Sequence, residues 1–141
     1  MPEIKNYDAK QVSVVVAGRS LTGLADGTFV TAERTNDMYV VSTGADGTHT
    51  RSKSSDRSGV IVITLKQTSE DNAFLNGLAI ADELSGSSTV PAMIRDSQGT
   101  LVINSADCWF QKTAGVELGK EAGDRVWTLQ CAELDIIGGG N

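Results

Sequence analysis

Chemistry in this chain would have to come from very few side chains. His49 is the only histidine, so no histidine-based metal cluster or proton relay can be assembled within one chain, and its polar setting reads as a solvated loop. Cys108 stands beside Trp109 and Phe110 with no histidine nearby in sequence, the company of a buried thiol and not of a nucleophile. Cys131 lies in a second strand-like run, and with no secretory context the two cysteines read as buried thiols, not as a disulfide. Glu33, Asp37, Glu133 and Asp135 are the carboxylates available for acid–base pairing, yet such residues are mostly solvated strand faces. Gly44, Gly47 and the terminal Gly138, Gly139 and Gly140 match neither nucleotide-binding glycine pattern. The expectation is a protein that is not an enzyme, with no cofactor and no metal.

Charge and length narrow the classes further. With 12 basic against 18 acidic side chains, net −6, the chain lacks the clustered lysine and arginine that track phosphate, and docking on an anionic membrane is equally disfavoured. Its 141 residues suffice for one domain, 1–141, with a proper core. No apolar span has membrane length, and Met1-Pro2-Glu3-Ile4-Lys5 runs straight into polar sequence, so no leader is expected.

The elements that must position any site are organised around residues 59–84. Gly59-Val60-Ile61-Val62-Ile63-Thr64-Leu65 is a β-branched run bounded by polar residues, the pattern of a strand buried on both faces. A helix over about 69–84 follows. Thr68-Ser69-Glu70-Asp71 offers a hydroxyl cap with an acidic partner, and Phe74, Leu75, Leu78, Ala79, Ala81 and Leu84 gather on one flank. Ser85-Gly86 supplies a left-handed stop. Upstream, Val12, Val14, Val15, Val16 and Leu21 predict a first strand with bends at Gly18 and Gly23. Asp26-Gly27 then signals a hairpin into residues 28–35, and Asn36-Asp37 turns the chain into Met38-Tyr39-Val40-Val41, an antiparallel meander. Downstream, residues 90–95 and 100–104 form a hairpin, and Cys108-Trp109-Phe110 a short strand. The last strand runs from about 126 to 137. Trp127, Leu129 and Cys131 share one of its faces. Leu134 and Ile136 regain that face only through a bulge near Ala132-Glu133, which would set Thr128, Gln130, Glu133 and Asp135 on a single polar face.

Three segments lack any such pattern. Residues 1–10 read as an arm, residues 138–141 as a mobile tail, and residues 42–58 as a long polar insertion with no aliphatic side chain larger than Ala45. Arg51, Lys53 and Arg57 recur there at near-even spacing and would project from one side of an extended chain. The insertion is either a solvated hairpin tip or a loop that orders on a partner. Since no run of proline or lysine protects the sheet edges, neighbouring copies could pair there; a head-to-tail contact that closes makes a ring, and matching ring faces stack into a filament.

Val16-Ala17-Gly18-Arg19, the polar insertion before Ser58-Gly59-Val60-Ile61-Val62, and Thr64-Leu65 leading into Ser69-Glu70-Asp71-Asn72 with Leu75 and Leu78 resemble the small tail-tube proteins of contractile-tailed bacteriophages. Ile94-Arg95-Asp96-Ser97-Gln98-Gly99-Thr100 and Trp127-Thr128-Leu129 extend the resemblance over nearly the whole chain. It rests on element order and short local matches.

The resemblance implies a mainly β fold, an antiparallel β-sandwich or half-barrel with one flanking helix, in hexameric rings stacked into a hollow conduit. Related tubes occur in type VI secretion systems and phage-like bacteriocins. The implied partners are other copies of the chain, a sheath protein outside, and a tape-measure protein followed by DNA in the lumen, without specific binding and without a membrane. The implied location is the virion tail, assembled in the host cytoplasm. Residues 42–58 would reach the neighbouring ring, with Asp46, Arg51, Lys53, Asp56 and Arg57 as contacts. Thr31, Glu33, Thr128, Gln130, Glu133 and Asp135, placed on polar faces by alternation, would line the lumen. The alternatives are a tail-completion or connector ring and a monomeric ligand-binding β-barrel.

Overall fold

The computed structural model describes residues 3–139; Met1, Pro2 and the last two residues of the expected tail lie outside them. A single 3-10 turn, Ala9–Gln11, precedes the first strand. In chain order the strands are β1 (Val12–Val16), β2 (Arg19–Ser20), β3 (Val30–Arg34), β4 (Tyr39–Thr43), β5 (His49–Lys53) and β6 (Gly59–Lys66). Helix α1 (Asp71–Ser85) follows, then β7 (Val90–Asp96), β8 (Val102–Phe110), β9 (Asp124–Cys131) and β10 (Asp135–Ile137). The main sheet runs β2-β1-β7-β8-β9-β6-β3, with β10 also on β8, and its pairings are antiparallel. Val12 of β1 and Val30 of β3, with four strands of the path between their strands, line one cleft, and Val14 and Val16 share one buried cluster with Ile61, Ile63 and Leu65 of β6. A sheet can do this only by curling, which gives the expected half-barrel with α1 on its flank.

Side-chain period explains the core. On β6, Gly59, Ile61, Ile63 and Leu65 are buried while Val60, Val62 and Thr64 are half-buried. The strand expected to be buried on both faces therefore buries one and leaves its β-branched partners on the other. Each fully buried Ile or Leu contributes about 1.5–3 kcal/mol. Gly59 lacks a side chain for a steric reason: a Cβ there would lie 2.8 Å from the Glu33 carbonyl oxygen and 2.8 Å from Leu134 Cβ.

The helix keeps its expected place and its left-handed stop at Gly86, φ 72°. Its start differs. The Ser69 hydroxyl accepts from the Asp71 amide at 3.3 Å, but Asp71 turns into the core instead of closing a capping box. Leu75 is buried, Phe74 and Leu78 pack against the core, and Leu84, expected on the same flank, is exposed.

The meander does not form. β1 turns directly into β2 through Ala17 and Gly18, at φ 53° and 81°, the left-handed pair a two-residue hairpin needs. Asp26-Gly27 joins no hairpin, because the chain before it is held against the end of β6: Lys66 N–H donates to Gly23 O at 2.7 Å and Ala25 N–H to Thr64 O at 3.1 Å. β3 then pairs with β6, and β4 pairs only with β5. Cys108, Trp109 and Phe110 belong to β8, which carries an extra residue where its pairing with β7 steps from Val90↔Cys108 to Ala92↔Ser105.

The last strand is interrupted at residues 132–134. The phase switches there as expected, since Cys131 and Leu134 are both buried, but Ile136 is exposed. β9 and β10 nonetheless run end to end along β8 with an unbroken count, Cys131 opposite Cys108 and Asp135 opposite Asn104.

Candidate functional site

Register fixes which side chains share the outer face of the sheet. One row runs Thr31, Val62, Thr128 across β3, β6 and β9; the next runs Glu33, Val60, Gln130, Trp109 across β3, β6, β9 and β8. Four of the polar positions read from alternation, Thr31, Glu33, Thr128 and Gln130, thus lie together, opposite the core. Gln111 Nε2 donates to Gln130 Oε1 at 2.9 Å, extending the row. Alternation had not flagged the apolar members of this face: Trp109, Val126 and, across β7, Met93 are exposed.

Glu133 and Asp135 lie past these rows, Asp135 in register with Asn104 of β8 and, through it, with Met93 of β7 on the same outer face. Glu133 sits in the interruption, 4.0 Å from Arg57, while Asp135 pairs with Arg57 and stands 3.7 Å from Arg34. Arg34 also donates through Nε to the Leu134 carbonyl at 2.9 Å. Arg57, expected to project with Arg51 and Lys53, is instead folded back onto these carboxylates, because the chain has left β5 by Ser54 and Leu134 N–H bonds Arg57 O at 2.8 Å.

The expected polar loop is largely a hairpin. β4 and β5 pair from Tyr39↔Lys53 to Thr43↔His49 as a separate two-stranded sheet. Residues 40–53 are exposed throughout, Val40 and Val41 included. Tyr39, Val41, Arg51 and Lys53 share one side, where the Arg51 guanidinium lies 4.2 Å over the Tyr39 ring; His49 Nδ1 is 3.0 Å from Thr43 Oγ1. At the root, Ser54 N–H donates to Met38 O at 2.8 Å. A lone two-stranded hairpin is marginal in water, so this arm has the form of something that rests on another surface.

Asp46 and Asp56 pin the two ends of the arm. Asp46 Oδ1 accepts from Thr48 N–H at 3.0 Å and Asp56 Oδ1 from Ser58 N–H at 2.9 Å, and Asn36 Nδ2 also donates to Asp56. Those backbone donors hold both carboxyls below the ordinary 3.8. A depressed folded value means that the turns are fully supported above the unfolded value and loosen as pH falls through the folded one. Carbon-detected NMR should give midpoints below 3.8 for both, with the Thr48 and Ser58 amides following the same curves. Amides that stay still through the titration would exclude these bonds.

Sequence reading missed a buried anchor at the foot of α1. Asp71, 1% exposed, accepts from Thr22 N–H at 2.6 Å and Thr22 Oγ1 at 3.1 Å, and Arg19 Nε donates to it at 2.7 Å. Arg19 also lies 4.9 Å over the Phe74 ring, and Ser69 Oγ donates to Thr22 O at 2.7 Å. The anchor fastens the segment after β2 to the helix. At the open seam between β1 and β3, a cleft of about 460 Å³ is lined by Tyr7, Val12, Phe29, Val30, Ile94 and Ile103 among others. Among the described residues, no group of three or more His, Cys, Asp or Glu side chains stands where it could hold a metal ion.

A family model described as "Bacteriophage PhiTE tail tube protein" matches residues 9–139. "Structural protein ORF10" of Pseudomonas phage KPP10 is 26% identical over 143 residues, covering 96% of this chain and 83% of its own. Among solved structures, a chain of the anti-feeding prophage cap, a tube terminating cap, superposes with TM-score 0.67 at 12% identity, covering 99% of this chain and 95% of that one. A chain of the PVC sheath-tube complex, from an extracellular contractile injection system in its extended state, gives 0.66 at 11%, covering 94% and 92%. At those identities the likeness establishes the fold.

Proposed function

We propose, from the premise that the chain belongs to the bacteriophage PhiTE tail tube protein family, that its copies close into hexameric rings and that the rings stack into the inner tube of a contractile tail, a conduit for genomic DNA. The family makes it a structural protein and not an enzyme. The observation that carries the assembly reading is the β4–β5 arm, which the domain folds and leaves without a surface of its own. In the tube that surface is a neighbouring copy. The edges β2 and β3 of the curled sheet are where copies within a ring continue one another.

The face carrying Thr31, Glu33, Thr128 and Gln130 is the proposed lumen wall. Hydroxyls, an amide and a carboxylate put no cation against phosphate, and the Glu33 carboxylate of each copy would repel it within about 8 Å, where screening is incomplete. A tape-measure protein would occupy the bore before DNA, a sheath would surround it, as the relatives' sheath-tube complex suggests, and assembly would take place in the host cytoplasm before the tube becomes part of the virion.

Negative-stain imaging of purified protein tests both halves of the reading. Wild type and Thr128→Lys/Gln130→Lys should both form hollow tubes, with duplex DNA retained only by the lysine tubes. Equal DNA retention would take these residues off the wall. Single rings that never stack would favour a terminating or connector ring, a reading supported by the fold shared with a tube terminating cap. A monomer at high concentration would overturn assembly and restore the ligand-binding barrel, with the seam cleft as its site.

A further inference from the structure

We propose that Cys108 and Cys131 are an oxidisable pair that closes a cross-strand disulfide within one subunit when the protein meets a peroxide. The inference stands apart from the assembly reading. Both thiols are free and fully buried, directly opposite in the β8–β9 register, with sulfurs 3.3 Å apart.

The ladder around them favours closure. Ala132 N–H donates to Asp107 O at 3.0 Å and Gln111 N–H to Thr128 O at 3.4 Å. Those are hydrogen-bonded pairs, and antiparallel pairs alternate, so Cys108 and Cys131 form a non-hydrogen-bonded pair. Such pairs bring Cα atoms to about 4.5 Å, within the disulfide range of roughly 4.4–6.8 Å. Access comes from two features. A cleft of about 150 Å³ between α1 and β8 is lined by Leu78, Ala81, Val90, Cys108 and Phe110 among others, large enough for a peroxide and small for a peptide. The ladder is also irregular at one end of the pair, where the extra residue in β8 lies opposite the interruption after Cys131, and such places open locally more readily than regular sheet.

Cys108 is the first attacker. The hydrogen bond between the sulfurs draws its thiol down to about 7 against the desolvation that opposes ionisation, and the same bond pushes Cys131 up. The Cys108 thiolate attacks one peroxide oxygen, the O–O bond breaks, and the departing hydroxide takes a proton to leave as water. Cys108 is now a sulfenic acid. The Cys131 sulfur attacks it, giving up its own proton; the S–S bond forms as the S–O bond breaks and a second water leaves. Two thiols lose two electrons together and the peroxide is reduced to two waters.

The test treats the folded full-length protein with hydrogen peroxide, then denatures it in excess alkylating agent. The expected product takes up no alkyl group, is lighter by two hydrogen atoms, and gives one peptide joining Cys108 to Cys131. Its melting midpoint rises by on the order of 10 °C and returns on adding a dithiol reductant. Two alkylated cysteines, further oxidation without a link, or a link between chains would overturn the proposal. With a sulfenic-acid trap present, Cys131→Ser should label at Cys108 several-fold faster than Cys108→Ser labels at Cys131; equal rates would overturn the order of attack. The wild-type mass measurement stands even if neither variant folds.

Discussion

Replacing residues 39–53 with a short glycine–serine bridge yields a domain that melts within about 3 °C of the parent and no longer forms tubes. The stability half follows from burial, since no residue of the arm is buried in the core. Closing the gap strains nothing, because Ser54 N–H and Met38 O are already hydrogen-bonded at 2.8 Å, and a short loop between adjacent ends has a small entropic cost. The assembly half follows from exposure. Val40, Val41 and Met38 stand in water on a hairpin too small to be stable by itself, and burying them on a neighbour is what would repay its ordering. Sedimentation and negative-stain imaging check it. Tubes of parental length would show that the arm is ornament, and a large drop in melting temperature would show that it belongs to the core.

Asp71→Ala should destabilise the folded domain by about 3 kcal/mol, lowering the urea midpoint without changing the slope. The substitution removes the acceptor for the Thr22 amide, the Thr22 hydroxyl and Arg19 Nε at once. The arginine is half-exposed and rehydrates, so the loss comes mainly from the orphaned Thr22 amide and the space left beneath the helix. Arg19→Ala is the informative partner experiment. It leaves the Asp71 carboxylate, 2% exposed in its side chain, without its cation, and strips the guanidinium from the Phe74 ring. It should cost about as much as losing the acid. A double variant less destabilised than the sum of the two would measure their coupling; strict additivity, or a change under 1 kcal/mol for Asp71→Ala, would mean that the anchor does little.

What could be read from the chain beforehand was local. Leu75 and its neighbours declared the helix by spacing, Gly86 declared its end, and the phase conflict between Cys131 and Leu134 declared an interruption. Thr31, Glu33, Thr128 and Gln130 could be put on polar faces by alternation alone, although which strands lie side by side, and hence that they meet, required β3 on β6 and β6 on β9. Errors arose wherever a distant partner overruled a near signal. Asp26-Gly27 has the dipeptide of a hairpin, but the backbone of Gly23 and Ala25 is bound to β6, some forty residues on in the chain. Asp71 has the position of a capping acid, but Thr22 and Arg19 claim it. Arg57 keeps even spacing with Arg51 and Lys53, but spacing along a chain carries sidedness only while the strand lasts, and the strand ends at Lys53.

The way the arm is attached has a mechanical corollary. It meets the body through solvent-exposed ion pairs of Arg57 with Asp135 and Glu133 and through turn hydrogen bonds at Ser54 and Ser58. Contacts of that kind are weak singly and re-form after small displacements. In the proposed stack the joints would therefore be compliant and the beads stiff, and a curved tail would ask no subunit to deform.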